Sequence, residues 1–254
     1  MQQGNRVILV VPVGPIRVDA SDRAELCTQA LAGESAVILE TGEKDWIQIQ
    51  LDSDGYTGWV DRKQWSLSMS VSGSAFVLQA PSSAWLRGDG ALLQLPACSQ
   101  LMLDSAGHWN LNGIGLEPVD TLVRALEVAE DAVEAAEQFL GAPYLWGGKT
   151  SAGVDCSGLV QVAWKLMGQD VPRDASQQVE VGDPVPWGEQ KRGDVVFFQN
   201  IMHRVVHVGV LLDSTNILHA AGEVRVDALV HEGIKKGDSL THAFHSIRRW
   251  NLRG

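Results

Sequence analysis

The pattern of the chain changes near residue 120, and this change constrains the possible fold more than any other feature of the sequence. Before it, short apolar runs are separated by turn residues, and Trp46–Leu51 alternates apolar and polar side chains as a half-buried strand does. After it, two amphipathic helices come first and several strands follow. Short strands alone form barrels or sandwiches, whereas a helix pair followed by strands forms an α+β domain. We therefore expect small all-β barrels followed by an α+β domain.

The first half contains enough strand candidates for two small barrels. Those of the first barrel, separated by turn signals such as Asp54-Gly55, are residues 7–13, 36–40, 46–51 and 56–60. Those of the second, less regular barrel are residues 75–78, 91–95 and 100–103. On this pattern we place three domains, at residues 1–66, 67–119 and 120–254.

The second half opens with two predicted helices. The first covers residues 120–140, with Asp120 as its N-cap, and ends at Gly141. The second covers residues 156–167 and ends at Gly168. The strands predicted after these helices are residues 194–198, 205–213, 216–220 and 245–250.

The composition is that of an ordinary globular protein, with 45% apolar and 20% charged residues and a formal net charge of −11. An acidic surface repels phosphate backbones and anionic lipid, so neither nucleic acid nor a membrane is an expected partner. The sequence has no run of about 18 apolar residues that could span a bilayer, and its start lacks the pattern of a signal peptide. We therefore expect a cytoplasmic protein.

The three cysteines are too widely spaced for a disulfide framework or a CxxC zinc site. We expect Cys27 and Cys98 to be small core residues. Cys156 differs because it begins the second helix. The unpaired N–H groups of a helix start stabilise a thiolate, and they also bind an oxyanion. Cys156 is therefore the candidate nucleophile, with an unreactive buried thiol as the alternative.

Two histidines are candidates for the base that such a thiol needs. His207 lies in a β-branched strand and requires a polar partner, because burying an unpaired polar group costs about 1–3 kcal/mol. His219 lies on the next strand after a short turn, so an antiparallel pairing brings the two imidazoles side by side. This arrangement predicts His207 as the base and His219 as the residue that orients it. A purely structural role for either histidine is the alternative.

The spacing of His203 and His207 also fits two ligands of a metal ion. The segment between them lacks the glutamate of a helical zinc-hydrolase motif, and its valines favour a strand. We therefore predict no metal and no other cofactor.

Several motifs follow one another in the second half. The most specific are Gly-Ala-Pro-Tyr-Leu-Trp-Gly-Gly at 141–148 and Asp-Cys-Ser-Gly-Leu-Val-Gln at 155–161. Further segments in the same order are residues 171–174, 177–178, 192–198, 207–209 and 217–220. Together they resemble the NlpC family of bacterial cell-wall cysteine peptidases over about residues 130–250. The resemblance implies a papain-like α+β fold and a triad of Cys156, His207 and His219, with Tyr144 near the oxyanion site.

The first half adds to this resemblance. Segments at 16–18, 26–30 and 54–60 resemble a bacterial SH3-like domain, and the architecture is similar to the γ-D-glutamyl-L-diamino acid endopeptidases of murein recycling. In those enzymes the barrel closes one end of the active site, and the substrate is a short murein peptide with a free N-terminal L-alanine. The substrate contacts this implies are Tyr56, Ser157 and, for the ammonium group, Asp174. An acidic contact from the first barrel is implied at either Asp22 or Glu25.

The sequence thus predicts an endopeptidase that takes murein peptides as its partner. The bond cut would be that between D-glutamate and meso-diaminopimelate or L-lysine. The alternatives are a secreted hydrolase of polymeric peptidoglycan, a non-catalytic murein-binding protein and an acyltransferase that uses the same thiol. The complete set of Cys156, His207 and His219 argues against the non-catalytic alternative.

Overall fold

A computed structural model of the chain describes residues 1–119 and 129–251. The chain divides into two compact units, residues 1–128 and 129–254. The first contains two antiparallel sheets, and the second combines short helices with a seven-stranded sheet. This confirms the predicted class, an α+β domain preceded by SH3-like all-β barrels, while the division into three domains stays a prediction. Among the residues described, no helix has both the length and the apolar content that crossing a bilayer requires.

The first barrel is a seven-stranded sheet in the order β3-β2-β6-β5-β4-β1-β7. Its strands are β1 (Arg6–Leu9), β2 (Val13–Arg17), β3 (Leu26–Leu31), β4 (Ser35–Thr41), β5 (Trp46–Leu51), β6 (Thr57–Asp61) and β7 (Trp65–Leu67). The alternation that predicted β5 sends Ile47, Ile49 and Leu51 into the core. The predicted strand at 7–13 is divided between β1 and β2, and β3 was not predicted. Cys27 on β3 is only half-buried, so the expectation of a core position there is wrong.

The second barrel is a six-stranded sheet in the order β10-β9-β13-β12-β11-β8. Its strands are β8 (Ser74–Val77), β9 (Ser82–Arg87), β10 (Leu92–Pro96), β11 (Gln100–Leu103), β12 (Trp109–Leu111) and β13 (Ile114–Pro118). Its core is built around Trp85 and Trp109, and it includes Ala32 from the turn after β3. The backbone N–H of Gln100 donates to the carbonyl of Ala32 (2.7 Å), and Asn112 bonds the backbone of Met69 (2.8 Å). The two sheets of the first unit are therefore in direct contact.

The helices of the second unit are α1 (Ala132–Glu137), α2 (Cys156–Leu166) and α3 (Ala175–Gln178). The predicted N-cap Asp120 lies outside the described residues, and in the described part Asp131 caps α1 by accepting the N–H of Glu134 (2.8 Å). The second predicted helix is confirmed as α2, which ends at Leu166 just before the predicted terminator Gly168.

The sheet of the second unit has the order β16-β22-β17-β18-β19-β20-β21. Its strands are β16 (Asp183–Pro184), β17 (Val195–Gln199), β18 (Val205–Leu211), β19 (Asn216–Ala221), β20 (Glu223–Val230), β21 (Gly233–Lys236) and β22 (Ser239–Arg249). A separate small hairpin is formed by β14 (Lys149–Thr150) and β15 (Gly153–Val154). The strands predicted in this region correspond to β17, β18, β19 and the end of β22. Strands β20 and β21 were missed because their many charged and exposed positions leave no apolar run.

Candidate active site

The start of α2 is held in place by a buried carboxylate. Asp155 is the N-cap, and its Oδ1 accepts the N–H of Gly158 (2.6 Å) and Arg173 Nη1 (3.0 Å). Its Oδ2 accepts the N–H of Gly147 (2.8 Å) and Arg173 Nη2 (2.6 Å). Arg173 is 1% exposed, so this bidentate pair is formed away from water. It fixes the backbone immediately before the predicted nucleophile, Cys156.

The Cys156 thiol is buried beside β18. Burial raises the pKa of Cys156 to about 11, and the charge of Asp155 adds to this. The backbone N–H groups of Val208 and Ser157 act in the opposite direction without cancelling it. The expectation that the helix start leaves this thiol with a lowered pKa is therefore wrong, because burial outweighs the helix start. Proton removal has to be coupled to an acceptor close by. The thiol contacts the backbone N–H of Val208, the residue that follows His207 in the chain.

The two predicted histidines are brought together as the antiparallel pairing requires. In the register of β18 and β19, Val210 lies opposite Leu218, which puts His207 and His219 on the same face. His207 Nε2 and His219 Nδ1 are 2.8 Å apart, a hydrogen bond between two buried rings. Burial lowers the pKa of His207 well below its usual value, so both rings are neutral at pH 7. The pair has the geometry of a base and its orienting partner, the roles predicted for it.

Gly209 allows this close approach, and Gly209→Ala tests whether the approach is needed. A Cβ at this position would lie 2.8 Å from the carbonyl oxygen of Leu218 and 2.9 Å from His219 Cβ. Because the first of these is backbone, the strands must separate, and we expect kcat/KM to fall by at least about 10-fold through misplacement of the base. Gly115→Ala is the matched control, since a Cβ there meets nothing within 4 Å. Equal kinetics for the two variants would contradict the argument.

Two residues that sequence reasoning missed lie against the histidine pair. His219 Nε2 is 3.0 Å from Asp227 Oδ2, on β20. The ring of His242, on β22, stacks on that of His207 with centroids 4.1 Å apart and an interplanar angle of 23°. Neither residue lies in an apolar pattern or next to a motif. The only sequence signal was the type of residue itself, a lone carboxylate and a lone imidazole on polar strands.

Three neighbouring imidazoles could also bind a metal ion. The candidate ligand atoms of His207, His219 and His242 lie within 4.8 Å of one another. Two nitrogens on one zinc ion, each about 2.1 Å from it, can be at most about 4.2 Å apart. The cluster would have to contract and give up the His207–His219 hydrogen bond to hold zinc. His203, which the spacing pairs with His207, instead has its Nδ1 3.2 Å from Gln199 Oε1.

The other predicted residues of the second unit differ in their surroundings. Burial raises the pKa of Tyr144 to about 12, with a further contribution from Cys156, so its phenol keeps its proton and can donate to an oxyanion. Ser157 is buried, and its hydroxyl accepts Arg173 Nη1 (2.8 Å). Asp174 is half-buried and is the N-cap of α3. The predicted substrate contacts of Ser157 and Asp174 stay predictions.

The predicted contacts from the barrel lie in the first unit. Tyr56 directly precedes β6, is half-buried, and packs against the first core, and its backbone N–H donates to Asp54 Oδ1 (2.9 Å). Asp22 and Glu25 are both exposed in the loop between β2 and β3. A substrate-binding role for Tyr56, and the choice between Asp22 and Glu25, stay predictions.

The neutral state of His219 makes the stability of the protein depend on pH. Burial lowers the pKa of His219 to about 4, although the hydrogen bond to Asp227 acts in the opposite direction. The unfolded chain, with a histidine pKa of about 6.5, binds more protons between these values. The contribution of neutral His219 to the free energy of unfolding is therefore complete above about pH 6.5. It is lost as the pH falls toward 4, and the total loss is about 3 kcal/mol.

Urea unfolding at pH 7 and at pH 4.5 measures this loss. His219→Asn keeps a polar side chain that does not titrate, so we expect its stability to fall less than that of the wild type over the same interval. Parallel losses in the two proteins would contradict the assignment to His219.

The chain is similar to known proteins over nearly its whole length. The NlpC/P60 family model matches residues 141–242, and that of the bacterial dipeptidyl-peptidase Sh3 domain matches residues 16–64. Dipeptidyl-peptidase 6 of Lysinibacillus sphaericus is 35% identical over an alignment of 259 positions. The alignment covers 87% of this chain and 91% of the relative. The gamma-D-glutamyl-L-lysine dipeptidyl-peptidase of Bacillus subtilis (strain 168) is 28% identical over 229 residues, 80% of this chain and 77% of that protein.

A solved structure shares the fold. The crystal structure of an NlpC/P60 family protein from Bacillus cereus ATCC 10987 aligns with a TM-score of 0.80 at 19% identity, covering 96% of this chain and 99% of that one. The identity to the Lysinibacillus relative extends through both units, so it includes the barrel region as well as the domain that carries Cys156. The chain therefore belongs to the NlpC/P60 family of cysteine peptidases, and it carries an N-terminal bacterial SH3 domain.

Proposed function

We propose that this protein hydrolyses the bond between D-glutamate and the diamino acid of murein peptides with a free N-terminal L-alanine, in the recycling of cell-wall fragments. The observation that carries the proposal is the buried pair of His207 and His219, 2.8 Å apart, with His207 on the strand whose Val208 N–H contacts the Cys156 thiol. Three relatives that match more than three quarters of this chain are named as dipeptidyl-peptidases, and the names of two of them specify γ-D-glutamyl-L-lysine. The names support the bond, and the thiol and imidazoles support the chemistry.

The proposed reaction proceeds through a thioester. Cys156 Sγ attacks the γ-carbonyl carbon of D-glutamate as its proton passes to His207. The oxyanion forms near the start of α2 and the protonated phenol of Tyr144. The tetrahedral intermediate collapses, His207 returns the proton to the leaving amine of the diamino acid, and water then hydrolyses the thioester with His207 as the base. Because the resting thiol and imidazole are both neutral, proton transfer and attack are coupled.

The test uses L-Ala-γ-D-Glu-L-Lys, its meso-diaminopimelate counterpart and their N-acetylated forms. We expect cleavage of the free-amine peptides and at least about 100-fold lower kcat/KM for the acetylated ones, because acetylation removes the charge that a carboxylate pairs with. Equal cleavage of both forms would overturn the free-amine specificity. Release of peptides from intact sacculi would point instead to a hydrolase of polymeric peptidoglycan, and a transferred acyl product would point to an acyltransferase.

Asp174→Ser tests the proposed ammonium contact separately from folding. Serine is also a good N-cap, so α3 keeps its first turn while the carboxylate is removed. We expect KM for the free-amine peptide to rise about 10-fold, with kcat and the melting temperature little changed. Ser176→Ala, at an exposed position of α3, is the control. An unchanged KM in Asp174→Ser would assign the residue to capping alone.

A further inference from the structure

The pairing of β19 with β20 places a charged pair on the same face as His219. His219 lies directly opposite Arg225, and Asp227 is two residues further along β20, so all three side chains project from one face of the sheet. Asp227 Oδ2 accepts two hydrogen bonds, from Arg225 Nε (2.9 Å) and from His219 Nε2 (3.0 Å). The Asp227 side chain is only 9% exposed, and that of His219 is fully buried. The contact is therefore shielded from water.

This contact decides which nitrogen of His219 carries its proton. A carboxylate can only accept, so Nε2 of the neutral His219 ring must be the protonated nitrogen. His219 Nδ1 is then unprotonated, and its lone pair can only accept a hydrogen bond. It lies 2.8 Å from His207 Nε2, which must therefore carry the proton of that ring. The one unprotonated nitrogen of His207 is then Nδ1, and it is the atom left to take the thiol proton.

We propose that Asp227 is a positioning residue that sets the tautomers of both histidines and so makes His207 Nδ1 the base, an inference that rests on the proposed peptidase activity. Arg225 keeps the carboxylate turned toward His219, since both donors share Oδ2. The predicted triad of Cys156, His207 and His219 thereby gains a fourth member, Asp227, at the end remote from the thiol. Asp227 does not touch the reacting atoms, and its effect reaches them through two hydrogen bonds.

The wild-type enzyme provides the first test. With histidine labelled with ¹⁵N, the shifts of the two ring nitrogens at pH 7.5 report which one is protonated. We expect Nε2–H in both His219 and His207. A proton on Nδ1 of His219 would overturn the proposal without the need for any variant, and it would do so whether or not the peptide is cleaved.

The second test compares Asp227→Asn with Glu223→Gln. Both replace a carboxylate by an amide on β20, but Glu223 is exposed. An amide has one acceptor oxygen, for which Arg225 competes, and its NH₂ group favours an unprotonated His219 Nε2. In Asp227→Asn we expect mixed tautomers and a kcat about 10- to 100-fold lower with KM little changed, the range that follows loss of a partner orienting a functional imidazole.

Alkylation separates this inference from the proposed function. The rate at which iodoacetamide modifies Cys156, followed by mass spectrometry of its peptide, needs no substrate. We expect a lower rate in Asp227→Asn than in Glu223→Gln at each pH from 6 to 9. If the wild type cleaves no murein peptide but the tautomers and the alkylation rate respond in this way, the function fails and the inference stands. If the tautomers and the alkylation rate match those of Glu223→Gln, Asp227 has only a structural role and the inference is overturned.

Discussion

Replacing Arg173 with methionine is expected to lower the free energy of unfolding by about 3–5 kcal/mol and to remove most of the activity. The guanidinium is 1% exposed and holds both oxygens of Asp155, which is itself buried. Without it the Asp155 charge is left in the interior with two backbone N–H groups and the Ser157 hydroxyl as hydrogen-bond donors. Since the same carboxylate caps α2, the backbone on either side of Cys156 loses its fixed position. Urea unfolding of the full chain and kcat/KM on the free-amine peptide measure the two effects.

Arg192→Met is the matched control for this prediction. Arg192 also forms a two-point pair with an N-cap, Asp131, but both side chains are more than 40% exposed. Ion pairs that are exposed to solvent in this way contribute about 0–1 kcal/mol to the free energy of unfolding. Arg173→Met combined with Asp155→Leu should regain part of the stability, because it removes the unpaired charge, and should stay inactive. Similar losses in Arg173→Met and Arg192→Met would show that burial of the pair does not matter.

Replacing Cys156 with alanine is expected to lower kcat by at least about 10⁴-fold, because no other group in the proposed reaction attacks the carbonyl. Binding of the free-amine peptide should persist, since the predicted ammonium contact at Asp174 is untouched. Kinetics and calorimetry with the same peptide measure the two properties. Cys27→Ala, a change at a half-buried thiol of the first barrel, is the control and should keep its activity. A wild type that binds the peptide as Cys156→Ala does, but never cleaves it, would instead be a murein-binding protein.

The parts of the site that the sequence could predict are those encoded in local patterns. The helix that begins at Cys156 follows from its apolar spacing and its terminal glycine. The meeting of His207 and His219 follows from two consecutive strands and a short turn, because antiparallel pairing has only two choices of face. In each case the residues that decide the outcome are close together in the sequence.

The remaining parts depend on contacts between distant segments. His242 reaches His207 because β22 pairs with both β17 and β21, a placement that no local pattern encodes. Arg173 reads as an ordinary surface charge until the fold buries it against Asp155. The raised pKa of Cys156 has the same origin, since the helix start is a local feature and burial is not.

The contacts between the two barrels have a consequence for how the first unit unfolds. Ala32 follows a strand of the first barrel, yet it packs among buried side chains of the second, and Asn112 bonds the backbone at both Leu67 and Met69. Opening either sheet therefore removes apolar contacts and hydrogen bonds from the other. Such cooperativity couples two small cores, each marginal by itself, into one larger folding unit. Residues 1–119 should accordingly melt in one transition, and a chain cut after residue 66 should be less stable than the first barrel is in the intact protein.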